Sequence, residues 1–185
     1  MSKTLVLYKS KYGSTKQYAE WIAAELKADL CEPPDFKEDW EKYSKVIYCG
    51  GLYANRINGL GFIAKNAANL RRKKIVIVAC GLSYPHIELS VARIIDGLAR
   101  KLPKTIHPNV RMFMVRGSIK YSQLGFFEKI ILNMLERTIR KKDPQTLGPE
   151  EQEMLSVLGR DFSFVDRSFI QPIIDYCRGV QKHNE

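Results

Sequence analysis

The 185-residue sequence predicts an α/β fold, a parallel sheet covered by helices on both faces. Three observations predict it. Short, continuous runs rich in Val and Ile recur along the chain, as strands buried on both faces require. Between them lie stretches whose apolar residues follow helical spacing. Two of the apolar runs, Lys45–Gly51 and Lys73–Gly81, end in a glycine that sets loops at the carboxyl edge of the sheet, where open α/β sheets bind ligands.

Taken in order, "TLVLY" (Thr4–Tyr8) reads as the first buried strand, and a helix is expected from about Ser14 to Leu30. A short strand near Leu30–Glu32, just before "PPDF", belongs at a sheet edge. "KVIYCGG" (Lys45–Gly51) is the next apolar run, followed by a helix from near Gly61 to Leu70. "KKIVIVACG" (Lys73–Gly81) is the clearest strand, with four consecutive Ile and Val residues. The helix "ELSVARIIDGLARKL" (Glu88–Leu102) leads to the strand "VRMFMVRG" (Val110–Gly117), and a last helix is expected from about Phe169 to Val180.

Composition narrows the class. The length suits one domain, expected to span 1–185 with a helical insertion at 118–160. The longest apolar stretch, Ile75–Leu82, is far shorter than the roughly 20 residues of a membrane span. The start "MSKTLVLYK" lacks a signal peptide's apolar segment, so a cytoplasmic protein is expected. Cys31, Cys49, Cys80 and Cys177 lie far apart with no CxxC, which argues for reduced thiols and against a zinc site. His86, His107 and His183 have no metal-like spacing, so no metal is expected. His86 follows the third strand-end loop, as a ligand donor or a plain surface residue.

The formal charge is +10 and is uneven: Arg111–Lys142 holds eight Lys or Arg against two Glu, a net of +6. The clusters "RRKK" (Arg71–Lys74) and "RTIRKK" accompany no nucleic-acid motif, so nucleic acid is not an expected partner. "RRKK" reads as a solvated turn at the amino edge.

The loop "SKYGST" (Ser10–Thr15) carries the most chemistry. Ser10, Ser14 and Thr15 supply hydroxyls, and Gly13 lets the backbone turn and approach a ligand closely. The helix start adds unpaired amides and the positive end of a dipole, together an anion pocket suited to one phosphate. Neither GxGxxG nor GxxxxGK[ST] is present, which excludes the usual dinucleotide and nucleoside-triphosphate loops. The competing role for Ser14 or Thr15 is a plain helix cap.

"SKYGSTKQYAEWIA" resembles the phosphate loop and first helix of the flavodoxins, and the resemblance implies their three-layer sandwich with a five-stranded parallel sheet in the order 2-1-3-4-5. In that family the loop holds the phosphate of FMN, which falls here on Ser10, Tyr12, Gly13, Ser14 and Thr15. "YCGGLYANRING" (Tyr48–Gly59) is placed like the second flavin loop and "ACGLSYP" (Ala79–Pro85) like the third. That assigns Gly51, Leu52, Tyr53, Ala54, Asn55, Gly81, Leu82, Ser83 and Tyr84 to the border of the isoalloxazine ring. Tyr53 and Tyr84 are its available stacking partners, with loop packing as their alternative role.

After the fifth strand, "VRGSIKYSQLGFFEKIILNMLERTIRKK" resembles the flavodoxin-like, quinone-linked protoporphyrinogen dehydrogenases of bacterial haem synthesis, which carry "G-x-[IL]-x-Y" and then a long basic helix. Where that family tends to have Ser-Ile-Arg-Tyr, this chain reads "GGLYANR", with Arg56 three residues past Tyr53. The resemblance implies an FMN oxidoreductase that oxidises protoporphyrinogen IX and reduces a quinone, with Arg116, Lys120 or the helix cations steering the substrate's propionates. The alternative is an electron carrier that docks with a redox partner protein and has no substrate of its own.

On a helical wheel, the apolar residues of 126–142 fill an arc of roughly 200°, wider than one core contact needs. Three covers fit it: the chain's own Thr146–Gly159, a dimer partner, or an anionic membrane surface at the inner face of the membrane, where a quinone dissolves.

Overall fold

The computed structural model describes residues 3–37, 39–53, 56–82 and 88–180. Five strands run parallel: β1 (Lys3–Lys9), β2 (Asp29–Cys31), β3 (Tyr43–Tyr53), β5 (Lys74–Gly81) and β6 (Val110–Arg116), in the order β2-β1-β3-β5-β6. Counted among themselves they follow the expected 2-1-3-4-5. A sixth strand was not foreseen: β4 (Arg56–Ile57) folds back antiparallel on the tip of β3, pairing Leu52 with Ile57 and Tyr53 with Arg56.

Alternation along the strands builds two apolar layers. Leu5, Leu7, Val46, Tyr48, Ile75 and Ile77 face one side, against Ile63 and Leu70 and against Ile94 and Leu98 of α4 (Glu88–Lys101). Val6, Ile47, Cys49, Val76 and Val78 face the other, against Tyr18 and Ile22 of α1 (Ser14–Leu26) and Ile173 and Ile174 of α7 (Gln171–Arg178). On the α4 side, α2 (Gly61–Lys65) and α3 (Ala67–Leu70) replace the single helix expected over 61–70. Asn66 makes the break: its side chain donates to the Phe62 carbonyl at 2.9 Å, competing with the helical ladder. α1 stops four residues earlier than expected, where Lys27 adopts a left-handed conformation (φ 49°) and Ala28 N–H bonds back to the Ala23 carbonyl at 2.9 Å.

At the amino edge the "RRKK" turn is only half solvated. Lys73 is buried and donates to the Tyr43 carbonyl at 2.7 Å. Lys74 donates to the Tyr176 carbonyl at 2.7 Å, and Lys45 to that of Cys177. Both cations thus satisfy orphan carbonyls at the C-terminus of α7, where the helix dipole favours positive charge.

The chain divides into two compact units, Met1–Gly117 with Val165–Glu185, and Ser118–Phe164. The second opens and closes on an antiparallel ribbon of β7 (Ser118–Ile119) and β8 (Phe162–Ser163), pairing Ser118 with Ser163 and Ile119 with Phe162. Between them, α5 (Phe126–Arg140) packs against α6 (Pro149–Val157), and Lys142 pairs with Glu151 at 2.6 Å. Leu132, Ile139 and Met154 are buried, whereas Phe126 is 74% and Met134 62% exposed. The chain's own return therefore packs on α5 yet leaves part of its apolar arc uncovered. Among the described residues no helix is long and apolar enough to cross a membrane.

Tyr18 clamps the first unit where the chain leaves and returns. Its hydroxyl donates to the Arg116 carbonyl at 2.7 Å and accepts from the Asp166 N–H at 3.1 Å. Tyr18→Phe is expected to cost about 1–3 kcal/mol in chemical denaturation, because it strips a shared partner from two backbone groups. Burial pushes this phenol up to about 12. Its share of stability is therefore complete below the unfolded tyrosine's value near ~10 and fades as pH rises through 12.

Candidate functional site: the carboxyl edge of the sheet

The strand ends are level. Lys9 is in register with Gly50, Gly51 with Cys80, and Gly81 with Arg116. From this edge the chain turns through Ser10–Gly13 into α1. Gly13 holds φ 98°, a region that side chains rarely enter, and its N–H donates to Ser10 Oγ at 3.1 Å. The α1 ladder begins with Gln17 N–H to the Gly13 carbonyl at 3.0 Å, so the first-turn amides lie ahead of it. Gly13 is the N-cap and no side chain caps the helix. Ser14 and Thr15 are buried residues of the first turn, not caps, and no acidic residue shares that turn.

Two of the three hydroxyls differ in what they have left to offer. Ser10 accepts from Gly13 and keeps its own proton. Thr15 shares a hydrogen bond with the Cys80 thiol, which burial nonetheless pushes up to about 11. That bond ties the first turn of α1 to the end of β5. The first-turn amides therefore carry much of the donor capacity, beside the hydroxyls. Tyr12 Oη is buried and has no hydrogen-bond partner among the described residues. A buried phenol left so costs roughly 1–3 kcal/mol, which a polar ligand in this loop would recover.

Three glycines let the other loops close on the same edge. A Cβ on Gly51 would stand 2.9 Å from the Tyr53 ring, and one on Gly81 would stand 3.0 Å from Leu52. On Gly117 it would meet Cys80 Sγ at 3.1 Å and Ser14 Cβ at 3.7 Å. Gly51, Leu52, Tyr53, Gly81 and Leu82 thus gather at the ends of β3 and β5. Tyr53 lies against its own strand at Gly51. Ala54, Asn55, Ser83, Tyr84 and His86 fall outside the described residues.

Arg116 is placed otherwise than its charge implied, whereas Cys49 is a small buried core residue. Arg116, a candidate for steering substrate from solvent, is only 5% exposed. Cys49 lies one residue inside the edge, fully buried in the α1–α7 layer, and burial drives its thiol far above the ordinary range. Gly117 and the Thr15–Cys80 link were not singled out in the sequence. The one available signal was the glycine that ends "VRMFMVRG".

The edge fits a phosphate monoester carrying a flat ring. The loop offers an uncapped helix end, an orphan phenol and no carboxylate, and the glycine-bearing strand ends lie beside it.

The sequence model of the flavodoxin domain family matches residues 5–146. Among solved structures, the chain is similar to the Trp repressor binding protein from Bacillus subtilis, at 15% identity over 62% of this chain and 85% of that one, with a TM-score of 0.47. It is similar to a flavoprotein in complex with FMN from Lactobacillus acidophilus NCFM, at 19% identity over 63% and 93%, with a TM-score of 0.45. It is also similar to an azoreductase from Bacillus anthracis str. Sterne, at 10% identity over 85% and 98%, with a TM-score of 0.43. No curated protein matches the chain. With most of its length matched by that one model, the chain belongs to the flavodoxin domain family, whose cofactor is FMN.

Proposed function

We propose that this protein is an FMN-dependent oxidoreductase that oxidises protoporphyrinogen IX to protoporphyrin IX in three two-electron steps, reducing three quinones to quinols. The observation that carries the flavin part is the uncapped, acid-free first turn of α1 opening on the sheet edge. The Ser10 and Ser14 hydroxyls and the first-turn amides would hold the phosphate. Leu52, Tyr53, Gly81 and Leu82 would border the ring. When bound, FMN supplies the two-electron chemistry, taking reducing equivalents from the substrate and giving them to the acceptor. The polypeptide binds, orients and shields it. The substrate assignment is supported by the resemblance of the stretch from Val115 to Lys142 and by the second compact unit that it opens.

Anaerobic protein loaded with FMN should lose flavin absorbance on adding protoporphyrinogen IX and regain it on adding a menaquinone analogue. Flavin that only a reductase protein can reduce, with porphyrinogen inert, would replace this reading with that of an electron carrier. A pI near 9.5 disfavours the carrier, since such proteins tend to present acidic faces.

A quinone acceptor places the protein at a lipid surface, and α5 is proposed as the contact. Phe126, Ile130 and Met134 are exposed at four-residue intervals, so they form one stripe, and Lys129, Arg137 and Lys141 supply positive charge. The protein is expected to float with vesicles containing phosphatidylglycerol at low salt and to be released at about 1 M salt, where charges are screened within about 3 Å. Phe126→Ser/Met134→Ser should abolish flotation. Wild-type protein that stays at the bottom of a low-salt gradient would refute the contact.

A further inference from the structure

We propose that the groove between β4 and α4 binds a small organic polyanion, an apolar body bearing two or more carboxylates or phosphates. The groove encloses about 790 Å³, within the range of small-molecule sites. Its charged lining is wholly cationic: Arg56 from β4, and Arg93, Arg100 and Lys101 from α4. Arg100 pairs with Asp96. Among the described residues no carboxylate pairs with Arg56, Arg93 or Lys101. Gathering like charges around a concavity is unfavourable, and a polyanion would relieve it.

The other half of the lining is apolar. Ile57, Leu60, Ile94 and Leu98 are buried core residues whose edges floor the groove. That combination selects an amphiphile over a bare inorganic ion. On α4, Arg93, Gly97 and Lys101 recur every four residues, so all three share one face. Glycine in a helix interior costs roughly 1 kcal/mol relative to alanine. Here Gly97 leaves the wall open between two cations.

The groove is distinct from the phosphate loop, because α4 packs on the opposite face of the sheet from α1. It is not remote from it, since Arg56 pairs across the hairpin with Tyr53. An occupant gripping Arg56 would therefore touch the strand that carries the second flavin loop. The site itself does not depend on the flavin reading.

The test is calorimetric titration of the full chain, with and without FMN, using naphthalene-2,6-dicarboxylate and 2-naphthoate as probes. The dicarboxylate should bind at least about tenfold more tightly than the monocarboxylate, as paired charges demand. Arg93→Ala/Lys101→Ala should weaken it at least about tenfold. Gly97→Leu, which fills the concavity without changing charge, should do likewise with helicity intact. Arg71→Ala/Arg72→Ala removes equal charge at the amino edge and should leave affinity within about twofold. Equal loss in both double-alanine variants would show a diffuse field and overturn the proposal. Displacement by FMN, or no measurable binding of the dicarboxylate, would overturn it as well.

Discussion

Gly59→Ala is expected to cost the protein about 3–5 kcal/mol, a large effect for a single methyl group. Gly59 turns the chain from β4 into α2 with φ 74°, where an L side chain adds roughly 1–2 kcal/mol of strain. Space makes matters worse. An added Cβ would fall on Tyr48 Oη and stand 3.0 Å from the Lys9 stem. Tyr48 cannot give way cheaply. It is fully buried, its hydroxyl donates to the Asn58 carbonyl at 2.7 Å, and its ring presses on Gly50, where a Cβ would meet Cε1 at 3.1 Å. Burial also drives this phenol well above its usual range, so ionisation offers no escape. Urea unfolding of protein without FMN measures the loss. Adding Tyr48→Phe to Gly59→Ala should recover part of it, since the steric term is shared between the two positions. A cost under about 1 kcal/mol for the single variant would show that the turn has slack.

The features legible in the sequence are those that local pattern encodes. Ile75–Val78 can hardly be anything but a strand buried on both faces, and the register of β1, β3 and β5 follows once such runs pair in parallel. The loop at Ser10–Thr15 was legible for a similar reason, because hydroxyls, one glycine and an amphipathic helix lie within a few positions. Partnerships across long separations were not. Tyr18 looks like any core aromatic, yet its hydroxyl joins residues 98 and 148 positions away. Arg116 and Lys73 carry charges that suggest solvent, whereas tertiary packing buries both. The hairpin strand β4 is two residues long, too short for any periodicity to reveal. The apolar arc of α5 was visible, but which part α6 packs against depends on how the β7–β8 ribbon closes.

Gly13→Val should separate ligand binding from folding more cleanly than any other change at the edge. A built Cβ meets nothing within 4 Å, so the cost starts with backbone conformation and not with a clash at that atom. Gly13 sits at φ 98° and ψ −34°, outside the left-handed helical well, where a β-branched residue costs on the order of 3 kcal/mol, and the loop can shed that strain by rotating. Rotation would turn the Gly13 N–H away from Ser10 Oγ and swing the first-turn amides off their common direction. Those amides act on a phosphate only as a converging set, so affinity for FMN should fall at least about a hundredfold, since several charge-assisted bonds weaken together. Ser10→Ala removes the brace and one proposed phosphate donor but leaves the amides in place, and should cost about tenfold. Quenching of FMN fluorescence reads both affinities, and melting of the protein without FMN shows whether the fold survives. A Gly13→Val protein that melts within a few degrees of wild type and has lost FMN would place the phosphate on these amides. One that binds FMN within about threefold of wild type would mean that the phosphate is held elsewhere, because intact affinity is incompatible with a rotated loop.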